Sequence, residues 1–373
     1  MKFNVDGKAF QQSLQAVSKV INSKNTISIL DNFLLVVEGD RLSITGSDSE
    51  NELTNYITVY ESDSDGSVAV NARRLLEITK EIDNQPLTFE INDETKEIKI
   101  YYLTGHFDFM GVSGEDYPRR RAPQEDPQIL LLPTQMVSSG INNTIYAVSP
   151  EMTRPIMTGI YWDIHENDIT FVSSDTHKLV KYVNTEKAPG INSSFILPSK
   201  AANILKNLIG KDDADIKITF DAKGGVFEFG DFMLSTVFIT GRYPDYNRVI
   251  PAENPFVLTV DRLSLINALR RVTLFASKAS NLVALDIRDN QIVLHAQDLD
   301  YSTQAEEQVA CSYEGNDMVV GFNGVFMIEI LSNISDESIL MQLSDPARPC
   351  LYSPLTMKEG EELVTIQMPM QVI

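Results

Sequence analysis

Three stretches of this chain carry the same parts in the same order, and that repetition constrains the fold more than any other feature. Each opens with a short apolar strand, a polar capping residue and an apolar helical stripe. These are residues 3–5, Asp6 and Phe10-Leu14-Val17-Ile21; residues 129–132, Thr134 and Val137-Ile141-Ile145; residues 257–260, Asp261 and Leu265-Ile266-Leu269-Val272. A strand ending at an acidic tip follows in each, closing at Asp48, Asp175 and Asp298. Then comes a second capped helix: Asn71 before Leu75-Leu76-Ile78, Ser199 before Ile204-Leu205-Leu208, and Asn323 before Phe326-Ile328-Leu331. Asp48 to Asp175 is 127 residues and Asp175 to Asp298 is 123; Asn71 to Ser199 is 128 and Ser199 to Asn323 is 124. A period near one third of 373 residues predicts three similar domains in series, not a solenoid of short repeats. Domains of that size can each bury a core. Three copies of one scaffold point to geometry, an arc or a ring, rather than to three active sites.

The net charge is −21, from 31 Lys and Arg against 52 Asp and Glu. Spread evenly, that charge would exclude nucleic acid, whose phosphates are met by Lys and Arg. A closed shape escapes the exclusion by placing one sign inside and the other outside. Cys311 and Cys350 are the two cysteines, too few and too distant for a disulfide framework, which favours a reducing cytoplasm. The N-terminal segment has no apolar signal core and no apolar run approaches membrane-spanning length, so a cytosolic, unanchored protein is expected.

Two proline-bearing joints separate the repeats: residues 119–128 with Pro123 and Pro127, and residues 248–255 with Pro251 and Pro255. Proline fixes its own φ and biases the preceding residue away from helix, so both predict extended linkers. Each joint follows a Tyr-Pro step, Tyr117-Pro118 and Tyr243-Pro244, 126 residues apart. The expected domains are 1–122, 123–250 and 251–373. Between the helices the pattern is period two, as in Ile98-Ile100-Tyr102, Phe107-Phe109, Ile216-Ile218-Phe220 and Phe227-Phe229, which predicts half-buried antiparallel strands. Each third therefore predicts an α+β unit, two helices laid on curved antiparallel sheet. Lys8, Lys19, Arg73, Arg74, Lys80, Lys200, Lys206, Arg262, Arg270 and Arg271 are expected on helices, while acids crowd loops such as residues 61–65 and 212–215. That division suggests a basic helix-lined surface inside an acidic shell.

Catalytic motifs are missing: there is no Gly-rich phosphate loop, no CxxC and no HExxH. His106, His165, His177 and His295 lack metal-ligand spacing. Ser173-Ser174-Asp175-Thr176-His177-Lys178 gathers Ser, Asp and His, but triads are assembled from distant segments, and the other repeats lack the histidine. A turn at a strand end is the simpler reading. Acidic pairs such as Asp212-Asp213 and Glu306-Glu307 read as solvated surface. The last residues, Ile366-Gln367-Met368-Pro369-Met370-Gln371-Val372-Ile373, carry no side-chain charge, which suits a last strand or the lining of an adaptable groove.

With these motifs placed, the whole chain resembles the β sliding clamps of bacterial DNA polymerase III. The resemblance rests on the threefold repeat, on Ser174-Asp175-Thr176-His177-Lys178-Leu179, on Gly241-Arg242-Tyr243-Pro244-Asp245-Tyr246-Asn247-Arg248-Val249-Ile250-Pro251, on Gly321-Phe322-Asn323, and on Met368-Pro369-Met370. It implies two crescents closing head to tail into a six-domain ring, helices lining the hole and sheets forming the wall. Such a ring would thread duplex DNA and tether the replicative polymerase, with no catalysis, cofactor or metal of its own. Partners implied are a second copy, double-stranded DNA, an ATP-driven clamp loader, and other polymerases and repair proteins bearing short peptide motifs. The implied peptide pocket is lined by Met157, Ser174, Thr176, His177, Lys178, Leu179, Pro244, Arg248, Val249, Asn323, Phe326, Met368, Pro369, Met370, Gln371 and Val372. Thr176 stands where many members have glycine, Lys178 where arginine is usual, and Gln371 where a basic residue is common, with Ile373 added. At the implied subunit seam, Phe107 and Phe109 would meet Leu274 and Phe275 of the other chain, and Arg74 would face Glu306 and Glu307. Lys24, Arg73, Arg154 and Lys200 are the implied DNA-facing cations. Two rival readings stand beside this one: a hydrolase using Asp175 and His177, and an interaction scaffold that never encircles DNA.

Overall fold

The computed structural model describes residues 1–373 except 83, 121, 122, 124, 211–214 and 373. The Asp212-Asp213 pair, part of the first linker and Ile373 thus lie outside the described residues. Six α-helices and 25 strands alternate as an α+β chain among those residues. The first third runs β1 Lys2–Asp6, α1 Gly7–Val17, β2 Asn32–Glu38, β3 Arg41–Ser47, β4 Asn51–Tyr60, β5 Gly66–Asn71, α2 Ala72–Lys80, β6 Pro86–Ile91, β7 Glu97–Tyr102, β8 Gly105–Met110 and β9 Val112–Ser113. The second runs β10 Gln128–Pro133, α3 Thr134–Thr144, β11 Gly159–Ile164, β12 Ile169–Ser174, β13 Lys178–Asn184, β14 Ser193–Pro198, α4 Ser199–Leu208, β15 Asp215–Phe220, β16 Gly224–Phe229 and β17 Phe232–Val237. The third runs β18 Phe256–Asp261, α5 Arg262–Val272, β19 Leu282–Arg288, β20 Gln291–Asp298, β21 Thr303–Glu314, β22 Met318–Asn323, α6 Gly324–Ser332, β23 Ser338–Leu343, β24 Cys350–Pro354 and β25 Glu361–Gln367.

Four of the predicted caps are seen directly as hydrogen bonds. Asp6, Asn71, Asp261 and Asn323 accept hydrogen bonds from first-turn amides, for example Ser264 N to Asp261 Oδ1 at 2.7 Å. Each such bond is worth roughly 1 kcal/mol. Thr134 and Ser199 instead stand as the first residues of their helices. The first helix is shorter than its apolar stripe suggests: α1 ends at Val17, and Ile21 falls in the following turn. Phe10, Leu14 and Val17 are fully buried, with Phe10 edge-on to Phe89 at 5.1 Å.

The three acidic tips are turn-closing acceptors. Asp48 accepts from the amides of Glu50 and Asn51, Asp175 from His177 and Lys178, and Asp298 from Asp300 and Tyr301. A carboxylate two or three residues before an amide replaces a backbone turn bond, which is why the acid recurs while its neighbours vary. The residue after the acid takes a left-handed conformation in the first two repeats, Ser49 at φ 82° and Thr176 at φ 79°. That region favours glycine, so the β-branched Thr176 is strained where the resemblance places a glycine.

By compactness the chain divides into two units, residues 1–135 with 203–238 and residues 136–202 with 239–373. Each is built on one sheet. The first follows β10-β15-β16-β17-β4-β1-β6-β7-β8, with β2, β3, β5 and β9 attached beside it. The second follows β14-β11-β12-β13-β25-β24-β23-β18-β21-β20-β19-β22. The middle repeat therefore gives strands to both. In the first unit β17 lies antiparallel to the start of β4, Phe232 opposite Asn55 and Thr236 opposite Asn51. In the second unit β25 pairs the same way with β13, Lys178 opposite Gln367. Each joint sets the last strand of one repeat against the strand that leaves the acidic tip of the repeat before it.

Helices pack closely on these sheets. A Cβ on Gly140 of α3 would lie 2.5 Å from the Phe171 ring of β12. Gly140→Ala is therefore expected to lose about 1–3 kcal/mol to overpacking, against a gain in helix propensity of about 1 kcal/mol. Urea titration should show a net loss; a stabilised variant would contradict this packing.

Candidate functional site

The tip between β12 and β13 and the start of α6 build one corner of the second unit. Ser174 Oγ donates to Lys178 O at 2.8 Å and accepts from Thr176 N at 3.2 Å, which fixes the loop around Asp175. Lys178 is the unusual residue. Its side chain is only 4% exposed, and its ammonium sits 2.5 Å from Asp175 Oδ2 and 3.0 Å from Glu329 Oε2 of α6. It also stands 4.5 Å over the Phe326 ring, and His177 stacks on that ring at 5.5 Å. A buried ammonium needs partners of this kind, since desolvation alone would expel it. Asn323 meanwhile caps α6 and accepts from Gln367 Nε2 at 3.0 Å.

Residues after β25 are tied down rather than frayed. Met368 N donates to His177 O at 2.9 Å and Met370 N to Gly321 O at 2.8 Å. Opposite them, the second Tyr-Pro step packs against β11: Tyr243 stacks on Tyr161 at 4.7 Å and 2°, and Tyr246 donates to Asp163 Oδ2 at 2.7 Å. Burial pushes both tyrosine hydroxyls above their ordinary range, with Asp163 adding to the effect at Tyr246. These pieces enclose a largely apolar cavity of about 240 Å³.

Nine residues expected from the sequence line it: Met157, Ser174, Thr176, His177, Lys178, Leu179, Pro244, Val249 and Met368. Tyr243, Asp245, Tyr246 and Ile366 complete the lining and were not anticipated, although the Tyr-Pro step was visible in both joints. Asn323 and Phe326 support the wall through the contacts above. Arg248 does not line the cavity; it is exposed and pairs with Asp245 at 2.9 Å. Pro369, Met370 and Gln371 continue the tail past the cavity, and Val372 reaches a different one. Met368 and Val249 are 41% and 48% exposed, so the cavity presents apolar surface to a ligand. The Tyr243 hydroxyl is buried with no partner among the described residues.

The same geometry removes a Ser-His-Asp reading. Asp175 spends its oxygens on two amides and on Lys178, and His177 stacks on Phe326. Ser173 Oγ donates to Thr144 O and Ser174 Oγ to Lys178 O, so neither hydroxyl faces an imidazole base.

The remaining predicted residues lie elsewhere. Phe107 is half-buried and Phe109 buried on β8, whereas Leu274 and Phe275 are 70% and 41% exposed in the turn after α5. Glu307 is already held by Arg271 of its own chain, and Glu306 sits 3.4 Å from His295. Arg74 is exposed on α2. Lys24, Arg73 and Arg154 are exposed and Lys200 is half-buried at the start of α4. The six helices hold nine Lys and Arg but only two acids, Glu77 and Glu329, a net +7 within a chain of −21. Cys311 and Cys350 are both free, and burial pushes the Cys311 thiol up to about 11. No helix among the described residues is long and apolar enough to cross a membrane.

Comparison with known proteins adds to this geometry. Three profiles match in series: "DNA polymerase III beta subunit, N-terminal domain" over residues 1–121, "central domain" over 131–245 and "C-terminal domain" over 247–371. The beta sliding clamp of Halalkalibacterium halodurans is 25% identical over 366 residues, covering 95% of this chain and 96% of that one. Among solved structures, a sliding clamp (DNA polymerase III subunit beta) from Bartonella birtlesii bound to griselimycin superposes with a TM-score of 0.92 at 26% identity. The same protein from Pseudomonas aeruginosa bound to griselimycin gives 0.94 at 23% identity, and both cover 100% of each chain.

Removing the Lys178 charge leaves Asp175 buried without its counter-ion. Lys178→Met is expected to cost about 3–5 kcal/mol. Denaturant unfolding should record that loss; an unchanged midpoint would show that the ion pair does not hold this corner.

Proposed function

Because this chain belongs to the DNA polymerase III beta subunit family of sliding clamps, we propose that it acts as a homodimeric ring threaded on duplex DNA. In this reading it is a cytoplasmic processivity factor with domains 1–122, 123–250 and 251–373. The sliding clamp performs no chemistry; it holds enzymes to DNA. The observation that carries the dimer is a pair of unmatched strand edges. Both joints inside the chain use the same pairing, β17 on β4 and β25 on β13. A third such joint is half-present twice: among the described residues β8 pairs only with β7, and the first part of β21 pairs only with β20. The β8 of one copy fits the open edge of β21 in another, and the reciprocal contact closes a symmetric dimer. Hairpin alignment sets the register. Phe107 takes the place of Leu234 and Ala305 that of Leu53, so Phe107 faces Ala305, with Leu274 and Phe275 flanking the seam. Arg74 reaching toward Glu306 and Glu307 would add charge complementarity, Glu307 being shared with Arg271.

The helix charge supports the DNA part of the reading. Phosphates respond to charge within about 10 Å at ordinary salt, so in a ring lined by helices the helix cations would matter more than distant acids. Lys24, Arg73, Arg154 and Lys200 would meet the backbone without reading bases. Retention by a closed ring needs no tight contact, which leaves the ring free to slide.

The apolar cavity would receive short extended peptides from the replicative polymerase, other polymerases, repair proteins and an ATP-driven clamp loader. Anchoring would come from apolar side chains entering between Leu179, Val249 and Met368. Removing residues 368–373 should weaken a partner peptide at least tenfold in fluorescence anisotropy while the dimer persists in sedimentation. Unchanged peptide affinity would contradict the assignment. Phe107→Asp with Leu274→Asp should give monomers by sedimentation equilibrium, because two charges would replace the apolar seam; a persisting dimer would contradict the proposed joint.

A further inference from the structure

The two Tyr-Pro steps do the same job in successive repeats. In the first repeat, Leu34 of β2 lies opposite Ala69 of β5, and Tyr117 packs into the cluster they form, its hydroxyl donating to Asn32 O at 3.3 Å. In the second, Tyr161 of β11 lies opposite Ile196 of β14, and Tyr243 packs over both. Both tyrosines are nearly inaccessible, 3% and 8% exposed. Each is led in by a segment lying along the edge strand: Val112 opposite Ala69, and Ile239 N donating to Ile196 O at 3.0 Å.

The third repeat has the face and the lead-in but no tyrosine over it among the described residues. Ala284 of β19 lies opposite Gly321 of β22, in the positions of Leu34 with Ala69 and of Tyr161 with Ile196. Met370 pairs with Gly321, taking the lead-in place of Val112 and Ile239. Beyond it lies an open cavity of about 470 Å³ floored by Leu282, Ala284 and Val319, with Val372 on its wall. Its rim carries Asp286 and Glu306, together with Gln297 opposite Gln304.

We propose that this face of the third repeat is a second peptide-docking site, distinct from the cavity beside His177, and that it takes an extended partner segment presenting a tyrosine before proline with Arg or Lys beside it. The fold itself specifies this occupant, because the equivalent faces of two sister repeats are filled by such a segment. The chain cannot supply it from those segments, since Tyr117 and Tyr243 are already buried on their own faces, and a second copy has them buried likewise. Asp286 is already held by Arg288, but Glu306, with its side chain 60% exposed and 3.4 Å from His295, favours a basic neighbour, as Arg242 is to Tyr243, and the two glutamines offer hydrogen bonds to an extended backbone. Small residues at the Ala284 and Gly321 positions make the hollow deeper than its sisters.

The test uses the full-length protein and a fluorescein-labelled nonapeptide copying residues 240–248, Thr-Gly-Arg-Tyr-Pro-Asp-Tyr-Asn-Arg. Anisotropy should show saturable binding. Affinity should fall at least tenfold with Ala284→Trp, which fills the hollow. It should fall as far with Val319→Arg, an exposed substitution that leaves the core untouched and places a like charge at the rim. A Tyr243→Ala copy of the peptide should bind equally poorly. Absence of saturable binding, or equal binding by the Tyr243→Ala copy, would overturn the proposal. Binding that falls with His177→Ala instead of with Ala284→Trp or Val319→Arg would assign the peptide to the first cavity and overturn it as well.

Discussion

Everything in this protein depends on one backbone interaction, the antiparallel pairing of a repeat's last strand with the strand that leaves the acidic tip of the preceding repeat. It welds β17 to β4 and β25 to β13, so each compact unit crosses a repeat boundary on continuous sheet. A joint made of ladder hydrogen bonds is directional and fixes register, because a slip of one residue would turn every side chain to the wrong face. Flexible linkers alone would not do this. Such a joint also has a consequence at the ends of the series, where β8 and the first part of β21 have free edges among the described residues. Exposed edges are hazards that proteins cover, twist away or pair. In the dimer we propose, pairing them with each other in a second copy would satisfy both by the same rule that joins the repeats.

Charge segregation follows from the same layering. Sheet edges and turns carry the acids, in part because Asp48, Asp175 and Asp298 close turns by accepting amide bonds. The helices need no such acceptors along their faces and hold a net +7. An acidic protein that binds phosphate is then no paradox. Between repeats two and three, the turn around Asp175 gains a second use: the side chains of His177, Lys178 and Met368 convert a structural corner into an apolar cavity. The loop frame is shared with the first repeat, and the side chains hung on it are not.

Much of this was legible in the sequence because local chemistry dictates it. Asp6, Asn71, Asp261 and Asn323 cap helices through bonds spanning two or three residues, and the period-two runs form strands as their alternation requires. The end of α1 was misjudged because Ile21 prolongs the apolar stripe into a turn, where it packs near Gly46 without being helical. Long-range facts were not legible. Alternating apolar residues do not say which edge of β4 meets β17, some 180 positions away, so the sharing of the middle repeat between two sheets stayed hidden. In the cavity, His177 and Met368 were found through family resemblance. Tyr243, Tyr246 and Ile366 were missed because their role is to cover a sheet face, which only the packing reveals. Arg248, placed in the cavity by resemblance, spends its charge on Asp245 instead.

The central claim is that two copies close head to tail through the free edges of β8 and β21. Solution X-ray scattering with an absolute mass tests it most directly. The account predicts the mass of two 41.7 kDa chains and the hollow distance distribution of a closed ring. A stable monomer at micromolar concentration, or a dimer whose distance distribution lacks a central hole, would contradict it.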